Sequence, residues 1–515
     1  MQDSSRTFNS VKNISFGLIS QVIQMVLGFI TRTIFIKYLA VEYLGVNSLF
    51  TNIISMLSLA ELGIGSAIIY SLYKPLAEKN EYEIAIILQF YKKVYVSIGS
   101  FIFFTGLLLI PFLDSIIPHK PASITEDIRL LYFIFLFNTA SSYFFMYKGS
   151  LLEADQQSSI TTKNTTAFLI IQNIVQIAIL VLTKNFIFYL LVQLVCSLLS
   201  NYWLTRIVDK RYHFLSKHKK EKVNSSLKKL IISNTKATFY TKIGGALVNG
   251  TDNLIINYFV GLTILGKFSN YVMLTAIATN FLVIVFANVK SSIANVIVKE
   301  DKKSQGIIYD VINFSSFWFY GLGAVLMVVI MNDFITIWIG KSYILSLNVS
   351  IMIAVNFFML GMQNAFWTFK SAYGFFEQGK YLVLLTAAIN LLLSFCFGYY
   401  YGIFGVLLAT AIARLVTNFW YDPYIVLKLG LQVNPKFYLF KFIKYSVLLL
   451  VSTAIIFFIS QYLNFSLILN FIIKIILCLV ITNGLIFLTY KNTNEFLKIK
   501  QLFSNAILVF TKKIT

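Results

Sequence analysis

The stretch LSLAELGIGSAIIY, residues 57–70, sets a single carboxylate, Glu61, among leucines, isoleucines and small residues. In the core of a water-soluble protein an unpaired charge of this kind is strongly unfavourable. Inside a membrane an ionisable residue is rare and marks a functional position. The solvent therefore decides the reading. Of the 515 residues, 58% are hydrophobic and only 12% charged, with mean hydropathy +0.76, whereas a soluble domain carries about a quarter charged residues. A bilayer core about 30 Å thick takes roughly 20 apolar residues per helix. Windows of that kind recur from Ile14 to Leu488, and the strict alternation of barrel strands is missing from them. The pattern predicts an all-α polytopic membrane protein. Its fourteen spans fall near 14–36, 44–70, 92–117, 128–147, 167–183, 186–206, 237–260, 264–288, 307–331, 346–369, 380–399, 402–422, 443–463 and 466–490.

The net charge of +22 invites a nucleic-acid reading, which the placement of the charges excludes. Both tails and alternate loops hold 33 of the 43 Lys and Arg, while the opposite side holds only Lys37, Lys120, Arg129, Lys184, Lys267 and Lys341. That is the positive-inside asymmetry, so both termini are expected in the cytoplasm and the chain in the cytoplasmic membrane. The first span is too long for a signal-peptide core and is expected to remain as an anchor. Cys196, Cys396 and Cys478 all lie in apolar spans, so no disulfide framework is expected. Abundant Ile, Lys, Asn and Phe with few Pro suit an AT-rich bacterial genome.

No loop is large enough for a soluble domain; the longest, 207–236, is strongly basic and follows six of the fourteen spans. It reads as a hinge between halves and also as a topology anchor touching anionic lipid. The halves repeat. YLAVEYLG (38–45) matches FVGLTILG (259–266) at an offset of 221, and SNYW (200–203) matches TNFW (417–420) at 217. Six spans per copy give parallel repeats about an axis along the membrane normal. The expected organisation is residues 1–220 with spans 1–6, residues 221–430 with spans 7–12, and residues 431–515 with two additional helices and a cytoplasmic tail.

Gln21, Gln24, Gly28 and Arg32 share one face of span 1, and the offset of 221 carries them onto Lys242, Gly245, Asn249 and Asn253 of span 7. Two polar stripes placed symmetrically suit the walls of a water-filled cleft; small and polar residues also glue membrane helices together. Charges are harder to place. An Arg, Lys or Asp at mid-membrane costs roughly 2.5–3.5 kcal/mol on insertion scales. Arg32 and Lys242 lie near span ends, where snorkelling lowers that cost. Arg414, twelve residues into span 12, has no such relief and is expected to face a cleft. Lys474 lies outside the repeat and is assigned to a lipid-accessible groove. Glu61 and Asp252 suit either of two roles, an H⁺ or Na⁺ coupling site or the partner of a cation. IGKSY (339–343) lacks the upstream glycine of a phosphate loop. His213 and His218 lack metal-ligand spacing, and no nucleophile is paired with a base. An enzyme is not expected, and neither is a resident cofactor.

Several long stretches carry a family likeness. RTIFIKYLAVEYLGVNSLFTNIISMLSLAELGIGSAIIYSLYKPLAE (32–78), TDNLIINYFVGLTILGKFSNYVML (251–274), GSLLEADQQ (149–157) and FGVLLATAIARL (404–415) resemble Wzx-type bacterial polysaccharide flippases. These belong to the multidrug/oligosaccharidyl-lipid/polysaccharide exporter superfamily. The resemblance implies two pseudo-symmetric six-helix lobes around a central cavity, worked by alternating access. The implied substrate is an undecaprenyl-pyrophosphate-linked oligosaccharide, moved to the outer leaflet for O-antigen, capsule or exopolysaccharide, with a polymerase and a chain-length regulator as partners beside membrane lipids. Arg32, Lys242 and Arg414 are then candidates for the pyrophosphate, since guanidinium in particular suits phosphate. Gln21, Gln24, Asn249, Asn253 and Tyr271 are candidates for sugars, and the prenyl tail is expected in lipid along spans 13–14. Glu61 belongs to the family pattern and is a candidate for gating as much as for coupling. Two alternatives remain open, an ion-coupled drug antiporter of the same superfamily and an integral-membrane polysaccharide polymerase. A polymerase usually brings a large outer loop, and the outer loop here, PHKPASITED (118–127), is short.

Overall fold

The computed structural model describes residues 2–61, 64–118, 120–216, 225–375 and 377–511. Among them helices alternate with turns and short linkers, and no strand occurs. The helices are α1 (Gln2–Tyr38), α2 (Val41–Leu57), α3 (Ile64–Ala77), α4 (Glu81–Leu109), α5 (Leu113–Ile116), α6 (Ile128–Ala154), α7 (Ser158–Thr183), α8 (Phe186–Arg211) and α9 (Ser225–Lys299). They continue as α10 (Lys302–Ile339), α11 (Leu347–Met362), α12 (Asn364–Ala372), α13 (Lys380–Val416), α14 (Asn418–Tyr424), α15 (Lys436–Ser460), α16 (Leu467–Tyr490) and α17 (Asn494–Thr511). The chain forms two compact units, Met1–Gly266 and Lys267–Thr515.

Eleven helical segments among the described residues are long and apolar enough to cross a membrane. Two of these, Gly250–Phe286 and Tyr381–Leu431, are each broken by a glycine in the left-handed half of backbone space, Gly261 (φ 81°) and Gly402 (φ 57°). Only glycine takes such backbone without penalty, so each segment makes two crossings. A further crossing runs through α2 and α3, which the 3-10 turn Ser58–Glu61 separates. The fourteen expected crossings are thereby accounted for. The basic stretch 207–236 is more helical than expected: α9 begins at Ser225, because Leu227, Leu230 and Ile231 recur at helical spacing.

The repeat is visible in where helices begin. Helices α4 and α10 start 221 residues apart, and both are capped alike. The side chain of Asn80 accepts from the Glu83 N–H, and that of Asp301 accepts from the Ser304 N–H. Helix α2 starts at Val41, and α9 resumes after Gly261 at Leu262, again 221 residues later.

These two starts also touch. A Cβ on Gly45 would fall 2.2 Å from the Leu262 carbonyl oxygen, and a Cβ on Gly266 would fall 2.2 Å from the Val41 carbonyl oxygen. The contact is reciprocal at the repeat offset, and between its two halves the Thr263 hydroxyl donates to Glu42 at 2.9 Å.

In the first unit α1 packs on α7, α4 on α6, and α6 and α7 on α8; in the second, α10 packs on α11, α15, α16 and α17. Apolar burial gives little drive for helix pairing in lipid, so close packing and polar contacts carry it. The Phe317 and Tyr445 rings, stacked at 3.9 Å between α10 and α15, are an example.

Gly45→Ala should lower the melting temperature of the detergent-solubilised protein, corresponding to about 1–3 kcal/mol of overpacking. Gly484→Ala, on α16, has open space at the Cβ position and should not. Equal melting temperatures for Gly45→Ala and the parent would sink the close-contact reading.

Candidate functional site

On α1 the polar stripe faces a seam of hydroxyls and amides shared with α7. Ser20 shares a hydrogen bond of 2.6 Å with Thr166, and Thr31 donates to Asn173 at 2.5 Å. Gln24 is exposed and donates to Ser20 of the same helix at 3.1 Å. Gln21 is half-buried nearby. Arg32 is half-buried one residue beyond Thr31 and within electrostatic range of Tyr189 on α8. Three residues on, Phe35 packs its ring against Tyr189 at 5.3 Å.

Glu61 ends the 3-10 turn and is half-buried, accepting from the Tyr95 hydroxyl of α4 at 3.3 Å. Tyr143 of α6 lies beside Tyr95, ring centroids 6.2 Å apart. The greasy stretch tolerates its carboxylate because the side chain turns into a tyrosine-lined interior. Of the two glycines after it, Gly63 lies outside the described residues.

Asp252 and Asn253 are half-buried on α9, and Gly250 just before them backs onto Met56 of α2. Lys242 and Asn249 fall among the residues whose side chains are not described. Arg414 is half-buried on α13 and donates to the Asn356 carbonyl oxygen of α11 at 3.5 Å. The described hydrogen bonds thus tie Gln24, Glu61 and Arg414 to three separate neighbourhoods. Tyr271, a sugar candidate by sequence, is fully buried. Its hydroxyl donates to Asn332 at 2.5 Å and accepts from the Leu345 N–H at 2.8 Å, so its ring offers no face to a ligand.

Lys474 departs from its expected lipid-facing role: it pairs with Asp333 of α10 at 2.7 Å, with both side chains about four-fifths buried. Two further contacts join the same helix to the C-terminal segment. The Trp318 indole N–H donates to Asn483 at 2.6 Å, and Lys441 bonds Asp310 at 2.7 Å and Glu495 at 2.8 Å. Burial alone pushes the Glu495 carboxyl up, but its hydrogen bond with Lys441 helps bring it below the ordinary glutamate value. From Asp310 to Asp333 the helix rises about 35 Å, roughly a bilayer core. The two C-terminal crossings are thus clasped to α10 near both ends and in the middle. Lys370 and Asp422 form one more pair at 2.7 Å. Sequence reading found Lys474 and missed its partner, because Asp333 falls just past the apolar window.

Between α10, α11, α13 and α15 the second unit holds an apolar groove of about 370 Å³. Val328, Val355, Leu415, Phe442, Leu450 and Phe457 are among the residues lining it, with Ser446 and Thr453 adding hydroxyls. Arg414 immediately precedes Leu415, and its partner Asn356 follows Val355. The groove wall thus comes within one residue, along α13, of Arg414. A third buried cluster lies along α13, where Asn390 donates across the Gly402 break to Thr410 at 2.9 Å and, on its own side of it, to Ser394 at 3.3 Å. Four-residue spacing of small polar residues is the only sequence signal for it.

No protein-family model matches the chain, and no curated protein matches it. Solved structures do. A multidrug resistance MATE family transporter of the MOP superfamily, inward-facing, aligns with TM-score 0.62 at 11% identity, covering 81% of this chain and 98% of that one. Lipid II flippase MurJ in an inward closed conformation aligns with TM-score 0.62 at 16% identity, covering 93% of this chain and 99% of that one. The Vibrio cholerae MATE transporter VcmN, as a point mutant, gives TM-score 0.54 at 13% identity over 84% of this chain and 100% of that one. The fold is that of MATE and MurJ transporters.

Lys474→Ala leaves Asp333 without its cation in a mostly buried place and should destabilise the protein by about 2 kcal/mol. The double variant Lys474→Leu, Asp333→Leu should recover most of that loss in thermal unfolding. A single variant as stable as the parent would show that the pair does not hold α16.

Proposed function

We propose that the chain is a MOP-superfamily flippase. It carries undecaprenyl-pyrophosphate-linked oligosaccharide units from the inner to the outer leaflet of the bacterial cytoplasmic membrane by alternating access, for surface polysaccharide. The observation that carries this reading is coverage. The MurJ fold accounts for 93% of the chain, against 81% and 84% for the two MATE transporters described above, at equal or higher TM-score. That greater coverage supports the reading of a lipid-linked-substrate carrier. Arg414, the residue before the groove-lining Leu415, supports the same reading, since a pyrophosphate on a prenyl tail needs a cation near a greasy channel. Arg32 and Lys242 are proposed as further phosphate contacts, and Gln21, Gln24, Asn249 and Asn253 as sugar contacts.

A drug antiporter with the same fold is the second reading, supported by the MATE likeness itself. A deletion strain separates the two. The flippase reading expects loss of surface polysaccharide with lipid-linked repeat units accumulating on the inner leaflet, restored by the intact gene. Unchanged polymer with altered drug sensitivity would favour the antiporter. In the complemented strain Arg414→Ala should cut export about tenfold or more, as expected for losing a charged hydrogen bond to phosphate, while membrane levels stay normal. Full polymer in that variant would remove Arg414 from the substrate site.

Asp252 is proposed to couple transport to H⁺ or Na⁺. Asp252→Asn should flatten the pH or Na⁺ dependence of transport in inverted membrane vesicles. An unchanged dependence would leave Asp252 as a structural partner.

A further inference from the structure

Near the start of α10 the second unit holds a cavity of about 540 Å³, closed by the π-helical turn Ile425–Leu431 and the first turns of α15. Three residues lining it are almost wholly buried: Asn313 is 1% exposed, Tyr438 3% and Tyr309 4%. Both polar atoms of the Asn313 carboxamide and both phenol hydroxyls lack a hydrogen-bond partner. Buried polar groups are nearly always satisfied, so a cluster of orphans around one cavity calls for an occupant.

The chemistry of the wall defines that occupant. Against one orphan acceptor, the Asn313 carbonyl oxygen, stand two phenols, the Asn313 NH2 and the ammonium of Lys444, which lies over the Phe440 ring at 4.6 Å. Asp310, the carboxylate in the wall, is already held by Lys441. A cluster of donors with an added cation fits an anion with several oxygen acceptors, as a phosphate is. The mouth is different. Phe437 and Phe440 line the cavity and are 69% and 60% exposed, a rim that suits acyl chains rather than water. Polar floor, basic edge and apolar rim together match an amphiphile.

The repeat supplies an independent observation. In the first unit Ala85, Leu88, Gln89 and Lys92 line a cavity of about 480 Å³. Shifted by 221 these become Gly306, Tyr309, Asp310 and Asn313. The hollow is therefore built into each copy. The first copy carries its own cation, Lys92, at the position where the second has neutral Asn313. In the second unit the cations come instead from α15, a helix outside the repeat.

We propose that the second-unit cavity binds the phosphate headgroup of an anionic membrane phospholipid, held by Asn313, Tyr309, Tyr438 and Lys444. The basic-loop asymmetry of the sequence puts this site in the cytoplasmic leaflet. It is separate from the apolar groove beside Arg414, and its test needs no transport.

Native mass spectrometry of the full chain, with phosphatidylglycerol or phosphatidylcholine added, reads bound lipid directly. The parent should retain phosphatidylglycerol in preference to phosphatidylcholine. Gly306 has open space at its Cβ position, so Gly306→Leu fills the cavity without a clash and also favours the helix. It should cut retention of phosphatidylglycerol about tenfold, as should Asn313→Leu, each removing contacts to a charged ligand. Exposed Lys444→Gln tests the cation without touching the floor and should lower the preference for the anionic lipid. Equal retention of the two lipids by the parent, or unchanged retention in Gly306→Leu, would overturn the proposal. Displacement of the lipid by inorganic phosphate, with phosphate itself retained, would assign the cavity to a free anion and overturn the lipid source.

Discussion

The reciprocal approach of Gly45 to Leu262 and of Gly266 to Val41 is the contact on which the register of the repeat depends. Two helix starts lie backbone against backbone, closer than any side chain permits, and only residues without a Cβ allow it at both places. The hydrogen bond from Thr263 to Glu42 sits between the two close points and links positions 221 apart. One shift along either helix would bring a side chain against a carbonyl and separate that pair. The starts of α4 and α10, and their matching Asn80 and Asp301 caps, fall at the same offset. In lipid, where apolar burial gives helices little reason to pair, close backbone contact of this kind is a principal source of association.

That constraint was partly legible in the sequence, since YLAVEYLG and FVGLTILG carry the two glycines at matching places. The fourteen crossings were legible because the bilayer imposes a length on every apolar run, and Gly261 and Gly402 fall where neighbouring runs meet. Side-chain partners were not. Lys474 read as a lone cation because Asp333 lies past the apolar window, and only the packing of α16 on α10 joins them. Tyr271 read as a sugar platform because hydropathy does not say which side of a helix is covered. Glu61 was legible as a carboxylate turned away from lipid, whereas Tyr95, 34 residues away, was not legible as its donor.

The two units use polar residues differently. In the first, neutral hydroxyls and amides stitch α1 to α7, as in Ser20–Thr166 and Thr31–Asn173. Such contacts tie helices together without the desolvation cost of burying ions. In the second, carboxylates at both ends of the α10 crossing meet lysines from α15 and α16, with Glu495 of α17 completing one group. Ion pairs leave little tolerance for sliding, because a displaced lysine strands a carboxylate in a medium that solvates it poorly. The C-terminal crossings are thereby fixed to α10 in position as well as in contact.

Fixing them has a chemical consequence. The repeat alone generates equivalent surfaces on its two copies, and a helix outside it makes them unequal. Helix α15 forms one wall of the apolar groove next to Arg414 and one wall of the cavity around Asn313. A carrier of small soluble cations gains nothing from an apolar groove of this kind. A carrier of a lipid-linked phosphate needs a place where a tail can stay in an apolar setting while its charged end meets a cation, and one such place per molecule is enough. The extra helices and the asymmetry they create are, on this reading, features that a prenyl-linked substrate demands of the fold.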